Sequence, residues 1–181
     1  MKVQTTSLDG VLILEPNVFA DARGFFFESF NAKAFREATG IDADFVQDNH
    51  SRSSRHVLRG IHYQLVRPQG KLVRVAAGRV FEVAVDLRRS SKTFGQWVGT
   101  ELSAEDRRQF WIPPGFGHAF LVLSESADLL YKTTEYWFAQ HDRAIAWNDP
   151  VIGIPWPLQG EPVLAARDAG APRLADAETF D

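Results

Sequence analysis

The sequence predicts an all-β fold, a sandwich or barrel, with one or two short helices. Two observations carry this. Short runs rich in β-branched and aromatic residues, about ten of them, recur at regular spacing with turn residues between them. Only one stretch reads as a convincing helix. The chain has 181 residues, of which 45% are apolar, enough for a single domain with a sizeable core.

The elements follow in order. Val11-Leu12-Ile13-Leu14-Glu15 reads as a strand that Pro16 stops. Asp21-Ala22-Arg23-Gly24 is a turn, and Phe25 to Phe30 forms a second strand. Asn31 sits as an N-cap, Ala32 to Thr39 form the helix, and Gly40 ends it. The two strands before this helix stand apart from the main run. They are free to pair with a partner subunit, since a lone edge ribbon is a liability. Asp44 to Ser51 starts with apolar Phe45 and Val46 and enters a polar cluster that continues to Arg55, read as a short strand and a polar loop.

Val57 to Leu65 is the next strand, and Pro68-Gln69-Gly70 turns the chain. Lys71 to Ala77 and Arg79 to Leu87 are strands broken by Gly78. In the second, Phe81, Val83, Val85 and Leu87 share one face, and Val80, Glu82, Ala84 and Asp86 the other. Gln96 to Leu102 and Gln109 to Ile112 are further strands. Pro113-Pro114-Gly115-Phe116-Gly117 is a rigid turn that delivers the strand from His118 to Leu123. A long strand runs from Ala127 to about Trp137. The tail from Asn148 is loop-like and proline-rich, and its Ala-rich end has room for one helical turn. No repeat or linker is visible, so residues 1–181 read as one domain.

Composition narrows the function. The chain holds 14 Phe and 5 Trp, which suggests a core or pocket rich in rings. No cysteine is present, which excludes disulfides, thiol catalysis and thiolate metal sites and fits a cytoplasmic location. The amino terminus lacks the apolar core of a signal peptide, and no apolar run approaches the roughly 18 residues of a membrane helix. The net charge is −3 and no basic stripe appears, so neither nucleic acid nor membrane is an expected partner. A small phosphorylated ligand needs only a few placed cations.

The strand Val57 to Leu65 bears the most unusual chemistry. Strict alternation puts Gly60, His62 and Gln64 on one face and Arg59, Ile61, Tyr63 and Leu65 on the other. Such a polar face looks either at water or into a lined cavity that holds a working imidazole. Of the five histidines, His62 and His118 lie on strands. Two histidines and a carboxylate are the ingredients of a metal site. The spacing speaks against one: there is no His-x-His or His-x-x-x-His pair, and no carboxylate close to His62. Without a metal, the available groups are His62 as base, Tyr131 as weak acid, and Lys71 and Arg59 as cations. A mid-strand tyrosine such as Tyr131 is in general more often a core residue with its hydroxyl tied off. Asp168, far along the chain, is a candidate to orient the imidazole, which spacing leaves open. The serine-hydrolase elbow, the dinucleotide fingerprint and the P-loop are absent.

Longer motifs add to this. Gly24-Phe25-Phe26-Phe27-Glu28, Val46-Gln47-Asp48-Asn49-His50-Ser51, Val57-Leu58-Arg59-Gly60-Ile61-His62-Tyr63-Gln64 and Gln69-Gly70-Lys71-Leu72-Val73-Arg74 occur in that order. Trp111-Ile112-Pro113-Pro114-Gly115-Phe116-Gly117-His118 and Leu130-Tyr131-Lys132 follow. Through them the chain resembles the dTDP-4-dehydrorhamnose 3,5-epimerase family, from about Val11 to about Pro172. The resemblance implies a cupin-like jelly roll, a homodimer, no cofactor, and a dTDP-linked 4-keto-6-deoxy sugar as substrate. Protons at carbons 3 and 5, beside the ketone, would be removed and returned through an enolate. By this resemblance His62 is the base, held by Asp168, and Tyr131 is the acid on the opposite face. Lys71, with Arg59, stabilises the enolate oxygen.

The same matching puts Arg23, Glu28, Gln47, Asn49, Arg59, His118, Asp142 and Arg167 around the substrate, mostly at its nucleotide. Phe26, Phe120 and Trp137 would stack on thymine. The chain departs from the family pattern at Glu82, where an aspartate is expected, and at Trp137, where a tyrosine is common. Asp142 and Arg167 stand in place of a glutamate and a lysine. Relatives that invert one carbon share most of these motifs, so the alternative is a single-centre epimerase of a related keto-sugar.

Overall fold

The computed structural model describes residues 1–181. In chain order the elements are β1 (Lys2–Thr5), β2 (Leu12–Glu15), β3 (Val18–Asp21), β4 (Gly24–Phe27), α1 (Ala32–Thr39), β5 (Gln47–Ser54), β6 (Leu58–Gln64) and β7 (Lys71–Ala77). Then come β8 (Arg79–Asp86), β9 (Trp97–Ser103), β10 (Gln109–Ile112), β11 (Phe116–Val122), β12 (Ser126–Thr133), β13 (Asp142–Ala144) and the single-turn α2 (Ala166–Ala169).

Two antiparallel sheets lie face to face, the layout of a jelly-roll sandwich. One has the strand order β1-β2-β10-β7-β12-β5 and the other β13-β6-β11-β8-β9. The space between them is filled by Val73, Val75, Phe110 and Leu129 from the first sheet and by Val80, Ala84, Phe120 and Val122 from the second. These are the alternate residues of each strand, so hydrophobic burial fixes the register. A second apolar cluster covers the outer face of the five-stranded sheet. There Ile61, Tyr63, Val83 and Val85 meet Ile145, Ile152 and Leu174 of the returning tail. On the outer face of the six-stranded sheet, Phe35 of α1 packs against Leu14, Leu72 and Trp111. That helix starts where the sequence predicts: the Asn31 side chain accepts from Ala34 N–H at 3.1 Å, and Gly40 closes it at φ 72°.

The sequence reading lacks β1, β3 and β13 and extends the second strand past Phe27, and the structure departs from it in four further respects that bear on the site. First, the polar run Gln47 to Ser54 is a strand rather than a loop, paired along its whole length with β12. It is an edge strand, so its polar side chains can alternate between the site and solvent without a buried cost. Second, β12 ends at Thr133, and the chain then loops through Trp137. Third, β2 pairs with β10 inside its own sheet. Of the strands before the helix, the ones outside both large sheets are therefore β3 and β4, a separate ribbon.

Fourth, alternation fails within β6. The β6–β11 register shifts between His118, which pairs with His62, and Phe120, which pairs with Arg59. This bulge turns Arg59 and His62 toward the same cleft. Gly60 makes it possible. It sits at φ +118°, and a Cβ there would lie 2.5 Å from the His118 carbonyl oxygen and 2.6 Å from Ala119 Cβ.

Candidate active site

His62 belongs to the inner face of its strand, because its neighbours Ile61 and Tyr63 are both spent on the outer cluster. Its Nε2 lies 2.5 Å from Oδ1 of Asp168, which is 2% exposed. Asp168 comes from α2, so the tail wraps back to bring it there. Its second oxygen accepts from Gly60 N–H at 3.4 Å. A carboxylate can only accept, so Nε2 carries the hydrogen and Nδ1 keeps its lone pair free.

His118 sits across from His62 on β11 and is buried. Its Nε2 is 2.7 Å from Oε2 of Glu82, which is 0% exposed. Burial pushes the His118 imidazolium well down, and Lys71 and His62 add to this. Lys71, at the start of β7, is buried too. Burial lowers its ammonium to about 8, while Asp142 opposes the shift. Its recorded hydrogen bond is a long one, 3.5 Å to the His62 carbonyl.

Tyr131 comes from the opposite sheet. It pairs with Val73 and Asn49 and packs against the inner cluster. Burial raises its phenol, with Arg59 opposing. Its ring meets that of His118 edge-on at 6.3 Å between centroids. His62 and Tyr131 thus belong to different sheets, and each has His118 as a neighbour.

The rim is a chain of hydrogen bonds. Arg167 grips Asp142 with two nitrogens, at 2.5 and 2.8 Å, and Trp137 Nε1–H donates to the same carboxylate at 3.0 Å. Burial pushes the Asp142 carboxyl up, but these two partners outweigh it and hold it below the usual range. Two clefts open beside this bridge. One is lined by Gln47, Asn49, Gln69, Tyr131 and Trp137. The other is lined by Arg59, His62, Arg167 and Asp168, among others. Gln47 accepts from Trp137 N–H at 3.1 Å and donates to Asn49 at 2.8 Å.

The structure therefore gathers His62, Asp168, Lys71, Tyr131, Arg59, His118, Gln47, Asn49, Asp142, Arg167 and Trp137. Three expected residues lie elsewhere in the chain. Arg23, Phe26 and Glu28 are carried by the β3–β4 ribbon or just after it, and Arg23 and Phe26 line a shallow cleft of their own. Phe120 is 5% exposed and part of the inner core, so it offers no open face to a thymine ring. Its strand position, alternating with Ala119 and Leu121, explains this: it points between the sheets. His118 is 7% exposed and lies beside His62, deeper than a nucleotide contact requires.

Sequence reasoning missed two functional residues. Gln64 anchors the loop that carries Trp137: its amide donates to the Arg67 and Tyr136 carbonyls and accepts from Phe138 N–H. Glu82 was given no role, although a carboxylate on the inward face of an apolar strand is a visible signal. No three His, Asp or Glu side chains converge on a shared point.

Comparison with known proteins gives a consistent result. A family model described as dTDP-4-dehydrorhamnose 3,5-epimerase matches residues 5–176. A protein of that description from Pseudomonas aeruginosa is 58% identical over 99% of both chains. Another, from Salmonella typhimurium, is 56% identical over 98% of this chain and 97% of its own. A crystal structure of a Legionella pneumophila epimerase in complex with dTDP-4-keto-L-rhamnose superposes with a TM-score of 0.96. It is 51% identical and covers 98% of this chain and 94% of its own.

Proposed function

The chain belongs to the dTDP-4-dehydrorhamnose 3,5-epimerase family, and from that membership we infer how its site performs the reaction. The protein is an isomerase. It epimerises dTDP-4-dehydro-6-deoxy-D-glucose at carbons 3 and 5 to dTDP-4-dehydro-L-rhamnose. The observation that carries the mechanism is the placement of His62 and Tyr131 on facing sheets. A sugar ring between them has a base on one face and an acid on the other.

The free Nδ1 lone pair of His62 takes the proton from the carbon beside the ketone, and the C–H electron pair moves into the enolate. Negative charge gathers on the C4 oxygen, where the Lys71 ammonium receives it. The Tyr131 hydroxyl then returns a proton from the opposite face, which inverts the centre and leaves a phenolate. Proton exchange with water resets both residues before the second carbon reacts. A positioned base supplies about 10²- to 10⁴-fold, and a preorganised donor to the oxyanion about 10²- to 10³-fold.

Arg59 and Arg167 suit the diphosphate, since a guanidinium binds two oxygens at once. Trp137, half exposed at the rim, suits the thymine. Arg23, Phe26 and Glu28 belong to this site only through a homodimer. The ribbon holds out Phe19, Phe25 and Phe26, each more than half exposed, and such a surface fits a second copy of the chain. The ribbon then reaches the partner's nucleotide. The same reading places the enzyme in the cytoplasm; no helix is long and apolar enough to cross a membrane.

The test is direct. The enzyme is incubated with dTDP-4-dehydro-6-deoxy-D-glucose and the ketone is trapped by borohydride. Sugars of the L configuration are expected. A trapped sugar inverted only at carbon 3 or only at carbon 5 identifies a single-centre epimerase instead.

A further inference from the structure

Glu82 is a buried carboxylate that the mechanism above leaves unused. It points inward from β8, directly behind His118. Oε2 is 2.7 Å from His118 Nε2, while Oε1 is buried with no hydrogen-bond partner. Its cross-strand neighbours are Thr100 and Phe120, neither of which titrates near neutral pH. The one cation acting on it is Lys71, from β7. Nothing in the chain hydrogen-bonds the other ring nitrogen of His118, Nδ1.

These contacts decide the protonation state. An ionised carboxylate in the interior needs donors at both oxygens. A carboxylic acid needs one acceptor for its O–H and tolerates a bare carbonyl far better. Burial pushes the Glu82 carboxyl well up and the His118 imidazolium well down, so an ion pair is disfavoured from both sides.

We propose that Glu82 is a protonated positioning residue. Its O–H donates to His118 Nε2 and fixes His118 as the neutral Nδ1–H tautomer, a hydrogen-bond donor to the substrate oxygen that gains charge in the enolate. This rests on the function proposed above. An ionised Glu82 would do the reverse. It would hold the hydrogen on Nε2, turn a bare Nδ1 lone pair toward the enolate oxygen, and draw Lys71 away as counter-ion. Glu82 itself touches no substrate and acts through His118.

Infrared difference spectra of wild type against E82Q test the protonation. The wild type is expected to show the carbonyl stretch of a protonated carboxyl group at neutral pH, shifted in D2O and lost in E82Q. Nitrogen-15 NMR of histidine-labelled protein is expected to show Nδ1–H on His118, assigned by its loss in H118Q. The amide of E82Q can still donate to Nε2, so E82Q keeps this tautomer. E82M cannot, and its kcat is expected to fall about tenfold or more below that of E82Q, with KM less affected. Absence of the band, or an Nε2–H tautomer in wild type, overturns the proposal, and so does an E82M kcat equal to that of E82Q. The two spectra do not depend on turnover. A wild type with the band and the tautomer but no action on the keto-sugar would overturn the proposed function and leave the Glu82 assignment standing.

Discussion

His62 and His118 are paired residues on adjacent strands, and each imidazole is tied through Nε2 to its own buried carboxyl group, Asp168 at 2.5 Å and Glu82 at 2.7 Å. The two pairs differ in exposure. The His62 side chain is 29% exposed, whereas that of His118 is 8% exposed. A histidine that exchanges protons with substrate and water needs that opening, and one that only donates a hydrogen bond does not.

His62→Ala is expected to lower kcat at least about 10²-fold, because no second base faces the ring. Asp168→Asn frees the imidazole to adopt the other tautomer and is expected to lower kcat about tenfold or more. Calorimetric titration with dTDP checks that nucleotide affinity is kept in both.

Tyr131→Phe separates the two halves of the reaction. His62 can still remove a proton and return one on the same face. Deuterium should therefore enter the substrate from D2O with retained configuration while inversion is lost, as NMR of the recovered sugar would show. Inversion at the wild-type rate would remove Tyr131 from the mechanism.

Lys71 ties activity to stability. Its folded pKa of about 8 lies below the ordinary 10.5. The unfolded chain therefore binds more protons between these values, and stability rises with pH across that window. Below about pH 8 the buried ammonium is a full liability, on the order of 3 kcal/mol. Lys71→Met should raise the melting temperature at neutral pH while lowering kcat about 10²-fold. Wild-type kcat should fall above about pH 8 as the ammonium is lost, and a flat alkaline limb would argue against its role at the enolate.

The ribbon predicts complementation between defective chains. A His62→Ala chain keeps an intact ribbon, and an Arg23→Ala/Phe26→Ala chain keeps an intact base. Mixed dimers contain one complete site if ribbons cross between subunits. Co-refolding the two is expected to restore about a quarter of wild-type activity. No gain over the separate variants would place the ribbon outside the partner's site.

Much of this was legible in the sequence. Alternation sorted the two faces of β8, and Asn31 with Gly40 bounded α1, because those features are local. What escaped was set by distant partners. Gln47 to Ser54 looks like a loop until β12 pairs with it. Arg59 shares a cleft with His62 only because Gly60 allows a bulge against β11. Asp168 is 106 residues beyond His62, so spacing leaves it only a candidate and the family resemblance supplies its partner. Phe120 carries the composition of a stacking residue, but its place between the sheets makes it core.

The measurement closest to the central claim is proton exchange at carbon. The wild-type enzyme is held in D2O with dTDP-4-dehydro-6-deoxy-D-glucose and followed by proton NMR. Base and acid on facing sheets predict loss of the proton signals at carbons 3 and 5, with deuterium retained at both inverted centres. Product formed with the original protons still on carbon would contradict removal by His62 and return by Tyr131.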